Sequence, residues 1–305
     1  MVAIMADRVK DGHGAYKLVS VVITNYNYAQ YVGEAIESIL GQTYKNIELV
    51  VIDDGSTDNS LDVISKYKDK LHIIRRENKG IVYTRNQALR VAKGEYMFFL
   101  DADDYFNNDY IEKMVAVATK SGADIVYPNW NVFGDKKYTK EFPEFDIQKL
   151  IRQEIHCTSE SLIRLSAIGD HKFESKAVAE DWDFFLGLAL DGREFKLAKD
   201  CYINYRVREG GRGTMHPYWD DMYHFYEILK KWSEHYPAIV NPVDLPVYAG
   251  KLRDDHIASQ NNIIAEKDEI IQDRDTTIAQ KDEVIRSQSK ELANLTRKIE
   301  ALKKP

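Results

Sequence analysis

Apolar runs alternate with segments of helical period along the first 130 residues. Residues 18–24 (LVSVVIT) form a near-continuous apolar run, the pattern of a strand buried in a parallel sheet. Residues 29–40 then place Ala29, Val32, Ala35, Ile36, Ile39 and Leu40 at helical spacing, and Gly41 closes the helix. The alternation continues through strand 47–52, helix 61–67, strand 71–74, helix 81–92, strand 96–100, helix 110–119 and strand 125–127. This order predicts an α/β domain whose sheet is covered on both faces, with the ligand beyond the carboxyl ends of its strands.

The period changes near residue 250. Ile264, Ile271, Ile278, Ile285, Leu292 and Ile299 recur every seven positions, the seam of a left-handed coiled coil. Three residues after each come Lys267, Arg274, Lys281 and Gln288, and only then Leu295 and Leu302. Ile263, Ile270 and Val284 sit just before the seam, so the early heptads have a broadened or displaced stripe. The pattern predicts a helix over residues 258–303, roughly 70 Å long at 1.5 Å per residue, that joins copies of the chain into a homo-oligomer.

Composition supports that division. All 4 Trp, 19 Tyr and 11 Phe lie at or before Tyr248, and the last glycine is Gly250. Residues 251–305 carry 11 Lys+Arg and 11 Asp+Glu, so the net charge of −7 belongs to the first 250 residues. The expected organisation is an N-terminal extension (1–16), a main α/β domain (17–214), a helical, aromatic-rich part of it (215–250) and the coiled-coil segment (251–305). An acidic chain lacks the basic face that nucleic acid would require. Cys157 and Cys201 are too few for a disulfide scaffold and read as buried thiols in a reducing compartment. No Cys/His cluster has zinc spacing, no apolar run approaches a spanning length, and residues 1–17 lack a signal peptide's apolar centre. The expectation is a cytoplasmic protein.

Three polar clusters end the predicted strands: Thr24-Asn25-Tyr26-Asn27, Asp53-Asp54-Gly55-Ser56-Thr57-Asp58, and Asp101-Ala102-Asp103-Asp104. Ser56 or Asp58 alone would read as a helix cap or turn former. The Asp101/Asp103 pair is different, because like charges at a strand end repel unless a cation or donor compensates them. Mg²⁺ or Mn²⁺ is commonly held by one or two carboxylates together with substrate phosphates.

The strings SVVITNYNYAQYVGEAIESILGQTYKNIELVVIDDGSTDNS, RNQALRVAKGEYMFFLDADD and AEDWDFFLGLA resemble family 2 glycosyltransferases in order and spacing, over about residues 17–213. The resemblance implies the GT-A fold, a Rossmann-like mixed sheet flanked by helices, and here a long C-terminal coiled-coil helix follows it. It implies that Thr24, Asn25, Tyr26, Asn27 and Asp54, with Asp53 beside them, hold the nucleotide's base and ribose. Gly80, Arg85 and Asn86 match the segment that closes over the nucleotide. Asp103 would ligate Mn²⁺ or Mg²⁺, and Asp101 would reach the ribose or metal-bound water. Asp181, preceded by Glu180, would be the general base of an inverting transfer. Arg206, Arg208 and Arg212 lie where the family has a segment closing over the diphosphate, here a Gly/Arg mixture. Residues 169–173 (GDHKF) also depart from the family's usual turn.

The implied donor is a nucleotide sugar, with UDP favoured. The implied acceptor is a hydroxyl of a glycan or lipid-linked glycan in surface polysaccharide synthesis, which would place the enzyme at the inner membrane face as a peripheral protein. Read without the resemblance, Glu180-Asp181 caps a helix, and Tyr218, Trp219, Tyr223, Phe225, Tyr226 and Trp232 pack an amphipathic helix. Trp130 and His156 are open to acceptor-pocket or core roles. The competing functions are an inactive scaffold acting through its coiled coil and, ranked lower, an aspartate-dependent phosphatase.

Overall fold

The computed structural model describes residues 17–174, 179–208 and 218–240, and in the tail 265, 267–268 and 271–290; of residues 218–223 it describes the backbone alone. The expected N-terminal extension and Arg212 lie outside the described residues. The chain divides into two compact units, Met1–Pro246 and Val247–Pro305.

In the first unit, β1 (Val19–Asn25), α1 (Val32–Leu40), β2 (Ile47–Asp53), α2 (Ser60–Ser65), β3 (His72–Arg75), α3 (Ile81–Val91), β4 (Tyr96–Asp101) and α4 (Tyr110–Ser121) follow the expected alternation. α1 starts later than its apolar spacing implied, because residues 28–31 form a turn in which Tyr31 N and Val32 N both donate to Tyr28 O at 2.9 Å. β5 (Ile125–Gly134), β6 (Tyr138–Lys140), α5 (Ile147–Ile151), β7 (Leu162–Arg164), α6 (Leu165–Ile168), α7 (Glu180–Leu190), β8 (Phe195–Val207) and α8 (Tyr218–His235) complete it.

The eight strands form one mixed sheet in the order β3-β2-β1-β4-β7-β5-β6, with β8 parallel to β5. β3, β2, β1 and β4 are parallel, and β7 joins β4 and β5 antiparallel. Every residue of β1 is buried. Val19, Val21 and Ile23 meet Ile36 and Ile39 of α1 and Met114 of α4 in the main core. Ser20, on the opposite face, accepts from Lys93 N and Gly94 N at 3.0 and 2.9 Å. A Cβ at Gly94 would lie 2.5 Å from Tyr96 O and 2.7 Å from Leu18 O, so only glycine lets the chain leaving α3 approach β1. Cys157 and Cys201 are free and buried, and burial pushes the Cys201 thiol up to about 12.

In the second unit, residues 271–290 form a continuous helix exposed throughout. Ile271, Ile278 and Ile285 are 53, 56 and 58% exposed. Among the described residues, no helix is long and apolar enough to cross a membrane.

Candidate active site

The chain runs from β1 outward through β2 to β3, then returns to β4 on the other side of β1. That reversal is the switch point of the sheet, where α/β folds open a crevice at the strands' carboxyl ends. Register sets the first partners. Thr24 lies opposite Asp101 and Asn25 opposite Asp53. The Thr24 hydroxyl donates to Asp101 Oδ1 at 2.9 Å, and the Asn25 amide donates to Asp53 Oδ2 at 2.8 Å.

Asp53 is fully buried and also accepts from Ser56 N at 3.0 Å and Ser56 Oγ at 2.6 Å, so its carboxylate folds the loop after β2. Asn27, at φ 59°, accepts on Oδ1 from Thr57 N at 2.7 Å, locking the β1 turn onto that loop. The Asn25 amide nitrogen, Asn27 Oδ1 and Asp53 thereby tie the two loops together, while Asn25 Oδ1 is buried without a partner. Tyr26, 44% exposed, keeps its ring free of the core.

Asp54 is buried and holds the entry to α3: it accepts from Lys79 N at 2.9 Å and Gly80 N at 2.8 Å and pairs with Arg76 Nη2 at 2.8 Å. Gly80, at φ 85°, opens the helix in a conformation L-residues rarely adopt. Arg76 Nε and Nη1 are buried without a partner, and Arg76 lines a groove of about 510 Å³ with Gly55, Ser56 and Asn78. Arg76 was missed by sequence reasoning, although it directly follows the carboxyl end of β3, one strand beyond the three clusters singled out.

Arg85, on α3, is 4% exposed. Its guanidinium is buried, donates to Glu180 Oε1 at 2.9 Å and Ser159 Oγ at 3.2 Å, and faces Asp101 Oδ2 at 3.4 Å. The Asp101 and Glu180 charges beside it hold its proton more tightly than in water. Arg85 thus ties the Asp101–Asp103 turn to the start of α7. Beside it, Asn86 exchanges two hydrogen bonds with the Phe173 backbone at 2.8 and 2.9 Å, fixing the departing residues 171–173.

Burial and the neighbouring Asp101 charge raise the Asp103 carboxyl above the usual range. Arg208 compensates it, donating from Nη2 to Asp103 Oδ2 and to the Tyr28 hydroxyl, both at 2.8 Å. Arg206 works on the backbone: its Nε donates to Asp103 O at 2.8 Å and its amide to Asp104 Oδ1 at 2.7 Å, with the guanidinium 4.5 Å from the Tyr31 ring. Among the described residues, no three His, Cys, Asp or Glu side chains converge to hold an ion unaided. A crowded carboxylate at a strand end still suits a hard divalent cation whose remaining ligands are phosphate and water.

Asp181 stands in the first turn of α7, where Ala179 enters at φ 72°, a strained value for a residue with a Cβ. Trp182 N donates to Asp181 Oδ1 at 2.8 Å. Burial and then the Glu180 charge raise Asp181 to about 6. Asp181 and Asp101 line one cavity of about 180 Å³, together with Glu160, Trp130, His156 and Phe225. Glu160, also missed from the sequence, is raised to about 7 by burial and then by Asp101. Nothing in its local string CTSES distinguishes it from an ordinary loop acid. The cavity takes both Trp130 and His156 into its wall.

The geometry thus joins a strand-end carboxylate pair to a second acid whose affinity for protons suits a base. The family described as Glycosyl transferase family 2 matches residues 20–171. UDP-Glc:alpha-D-GlcNAc-diphosphoundecaprenol beta-1,3-glucosyltransferase WfaP of Escherichia coli is 36% identical over 64% of this chain and 79% of its own length. Glycosyltransferase GlyG of Streptococcus pneumoniae serotype 4 is 34% identical over 53% of this chain, and the match spans 54% of its length. The structure of S. aureus TarS bound to UDP-GlcNAc superimposes with a TM-score of 0.63 at 22% identity, covering 79% of this chain and 73% of that one, a likeness of fold. The chain therefore belongs to glycosyl transferase family 2 and carries that family's GT-A-like mixed sheet, while the match spans about half the length of GlyG.

Proposed function

We propose that the protein moves a sugar from a uridine diphosphate donor to a hydroxyl of a lipid-linked glycan, with inversion at the anomeric carbon. The observation that carries this reading is the shared cavity of Asp101 and Asp181, braced from behind by Arg85. Asp181 accepts the proton of the acceptor hydroxyl; its oxygen bonds to the donor's anomeric carbon as the bond to the diphosphate breaks and the diphosphate leaves with the electron pair. A base with a pKa near 6 is ionised at neutral pH yet basic enough to share a proton in the transition state. Asp103, with Asp101 beside it, would hold a Mn²⁺ or Mg²⁺ ion that offsets the charge gathering on the leaving diphosphate. Arg208, released from Asp103, would be placed to meet the same phosphates.

The uracil preference rests on Asp54 and Arg76. The Asp54 carboxylate accepts and the unpartnered Arg76 nitrogens donate, matching the N3–H and carbonyl of uracil, whereas cytosine offers no N3–H. The WfaP name records a diphosphoundecaprenol-linked acceptor, which supports a lipid-linked acceptor here and work at the inner membrane face. The seven-residue apolar stripe supports a homo-oligomer through residues 258–303.

A thermal-shift panel of UDP, GDP, CDP and ADP with Mn²⁺ tests the donor reading. UDP should give the largest shift, and Arg76→Ala should weaken UDP binding about tenfold or more. Asp181→Asn should keep the UDP shift and lose transfer. Equal shifts for all four nucleotides would refute the uracil assignment, and full transfer by Asp181→Asn the base.

A further inference from the structure

The cavity beside Asp181 has a chemical character of its own. Trp130 and Tyr205 stack at 5.2 Å and 19°, while Trp182 and Phe225 meet edge to face at 5.3 Å, so two aromatic pairs contribute to its wall. Aromatic surface with a few polar groups suits the alternating C–H faces and hydroxyls of a sugar ring. Among the wall residues, Trp130 Nε1 and Gln153 Nε2 are buried N–H donors without a partner. Gln153 is held at φ 58°, a conformation a residue with a Cβ adopts at a cost. Buried donors left unpaired are costly, and a ligand's oxygens would satisfy them.

The charge on the wall has one sign. Asp101, Glu160 and Asp181 are its acids. Among the described lining residues none is Arg or Lys, although the Lys140 ammonium lies 5.2 Å from the Trp130 ring outside the lining; burial and then the Lys140 charge push the one histidine, His156, down to about 4, so it is neutral. Arg85 behind Asp101 is committed to Glu180, Asp101 and Ser159.

We infer that this cavity seats the terminal sugar of the acceptor and selects an uncharged pyranose, excluding uronic acids. The inference rests on Asp181 being the base, because the nucleophilic hydroxyl must reach it. Stacking and the free N–H donors recognise any pyranose, and the carboxylates of Glu160 and Asp181, which stand outside the proposed metal site, decide against one bearing a further carboxylate. Like charge brought into a partly desolvated pocket costs enough to set specificity.

Saturation-transfer NMR on the full chain at pH 8, with UDP and Mn²⁺ present, provides the test. The probes are methyl β-D-glucopyranoside, methyl N-acetyl-β-D-glucosaminide and methyl β-D-glucuronide. The two neutral glycosides should receive saturation, the glucuronide at most about one-tenth as much, and Gln153→Ala should weaken the neutral signal severalfold. Glu160→Gln should keep the neutral glycosides bound and raise the glucuronide signal, a change that a purely structural role for Glu160 would not produce. Glucuronide binding as strong as glucoside in the unmodified protein overturns the inference. So does the absence of all three signals when the UDP thermal shift is intact, a result that leaves the donor reading standing. Loss of the UDP shift itself would instead count against the proposed function.

Discussion

Asp181 shows how the proposed role as a base and stability oppose each other in one side chain. An ordinary aspartate ionises at 3.8, whereas burial and Glu180 raise Asp181 to about 6 in the folded chain. Between those values the native state binds the proton more tightly than the unfolded state, so stability falls as pH rises through that window. Below 3.8 both states are protonated and no penalty remains; above 6 the penalty is complete. Asp181→Asn removes the charge, and in metal-free protein it should raise Tm by a few degrees at pH 8 and leave it unchanged near pH 3.5. Transfer by the unmodified protein should climb as pH passes 6 because only the ionised base works. Scanning calorimetry at the two pH values checks the first claim and a pH–rate profile the second. A lower Tm for the variant at pH 8 would contradict the burial account. Arg85 meets the opposite demand: its guanidinium keeps the Asp101 and Glu180 charges compatible at close range, a span a lysine ammonium would not reproduce.

The helices that frame the cavity are held by a contact with no slack. A Cβ at Gly187 of α7 would lie 2.7 Å from Trp232 of α8, whose indole donates to Asp183 Oδ1 at 2.7 Å and so cannot turn away. Lys231 adds a second tether to Asp183 at 2.6 Å. Gly187→Ala gains about 1 kcal/mol of helix propensity but forces α8 outward, for a net loss of roughly 1–2 kcal/mol. Phe225 rides on α8 and lines the cavity, so the acceptor KM should rise several-fold while the donor KM stays within about twofold. Urea unfolding and initial rates with each substrate varied measure the two effects. Elements were legible in the sequence where burial writes a simple pattern. β1, β2 and β4 read directly because nearly every residue is covered. β5 was cut short at residue 127 because Pro128 reads as a strand terminator, whereas a register shift between Pro128 and Asn129 carries the strand on to Gly134. β8 was hidden because its pattern breaks at the exposed Lys199 and Asp200. The strand-end aspartates were visible as motifs, but Arg76 and Glu160 acquire meaning only from partners that chain order does not reveal.

At the scale of the whole molecule the tail poses the remaining physical question. Residues 271–290 rise about 30 Å as a helix. Its apolar residues Ile271, Ile278, Val284 and Ile285 are each more than half exposed. Isolated helices of this length are marginal in water, and a stripe of branched apolar side chains raises the cost of standing alone. Pairing the stripes of two or more copies removes both difficulties, and charges on the remaining faces keep the assembly soluble. Deleting residues 258–305 should lower the mass measured by light scattering to that of one chain. Ile278→Asp combined with Ile285→Asp should do the same while also reducing the helical circular dichroism signal. Both variants should retain kcat on a soluble acceptor, since every residue assigned to binding or proton transfer lies at or before Phe225. An unchanged mass would remove the oligomer. A reduced mass with lost transfer would instead make assembly part of the active state, the outcome expected if copies must meet to complete the site.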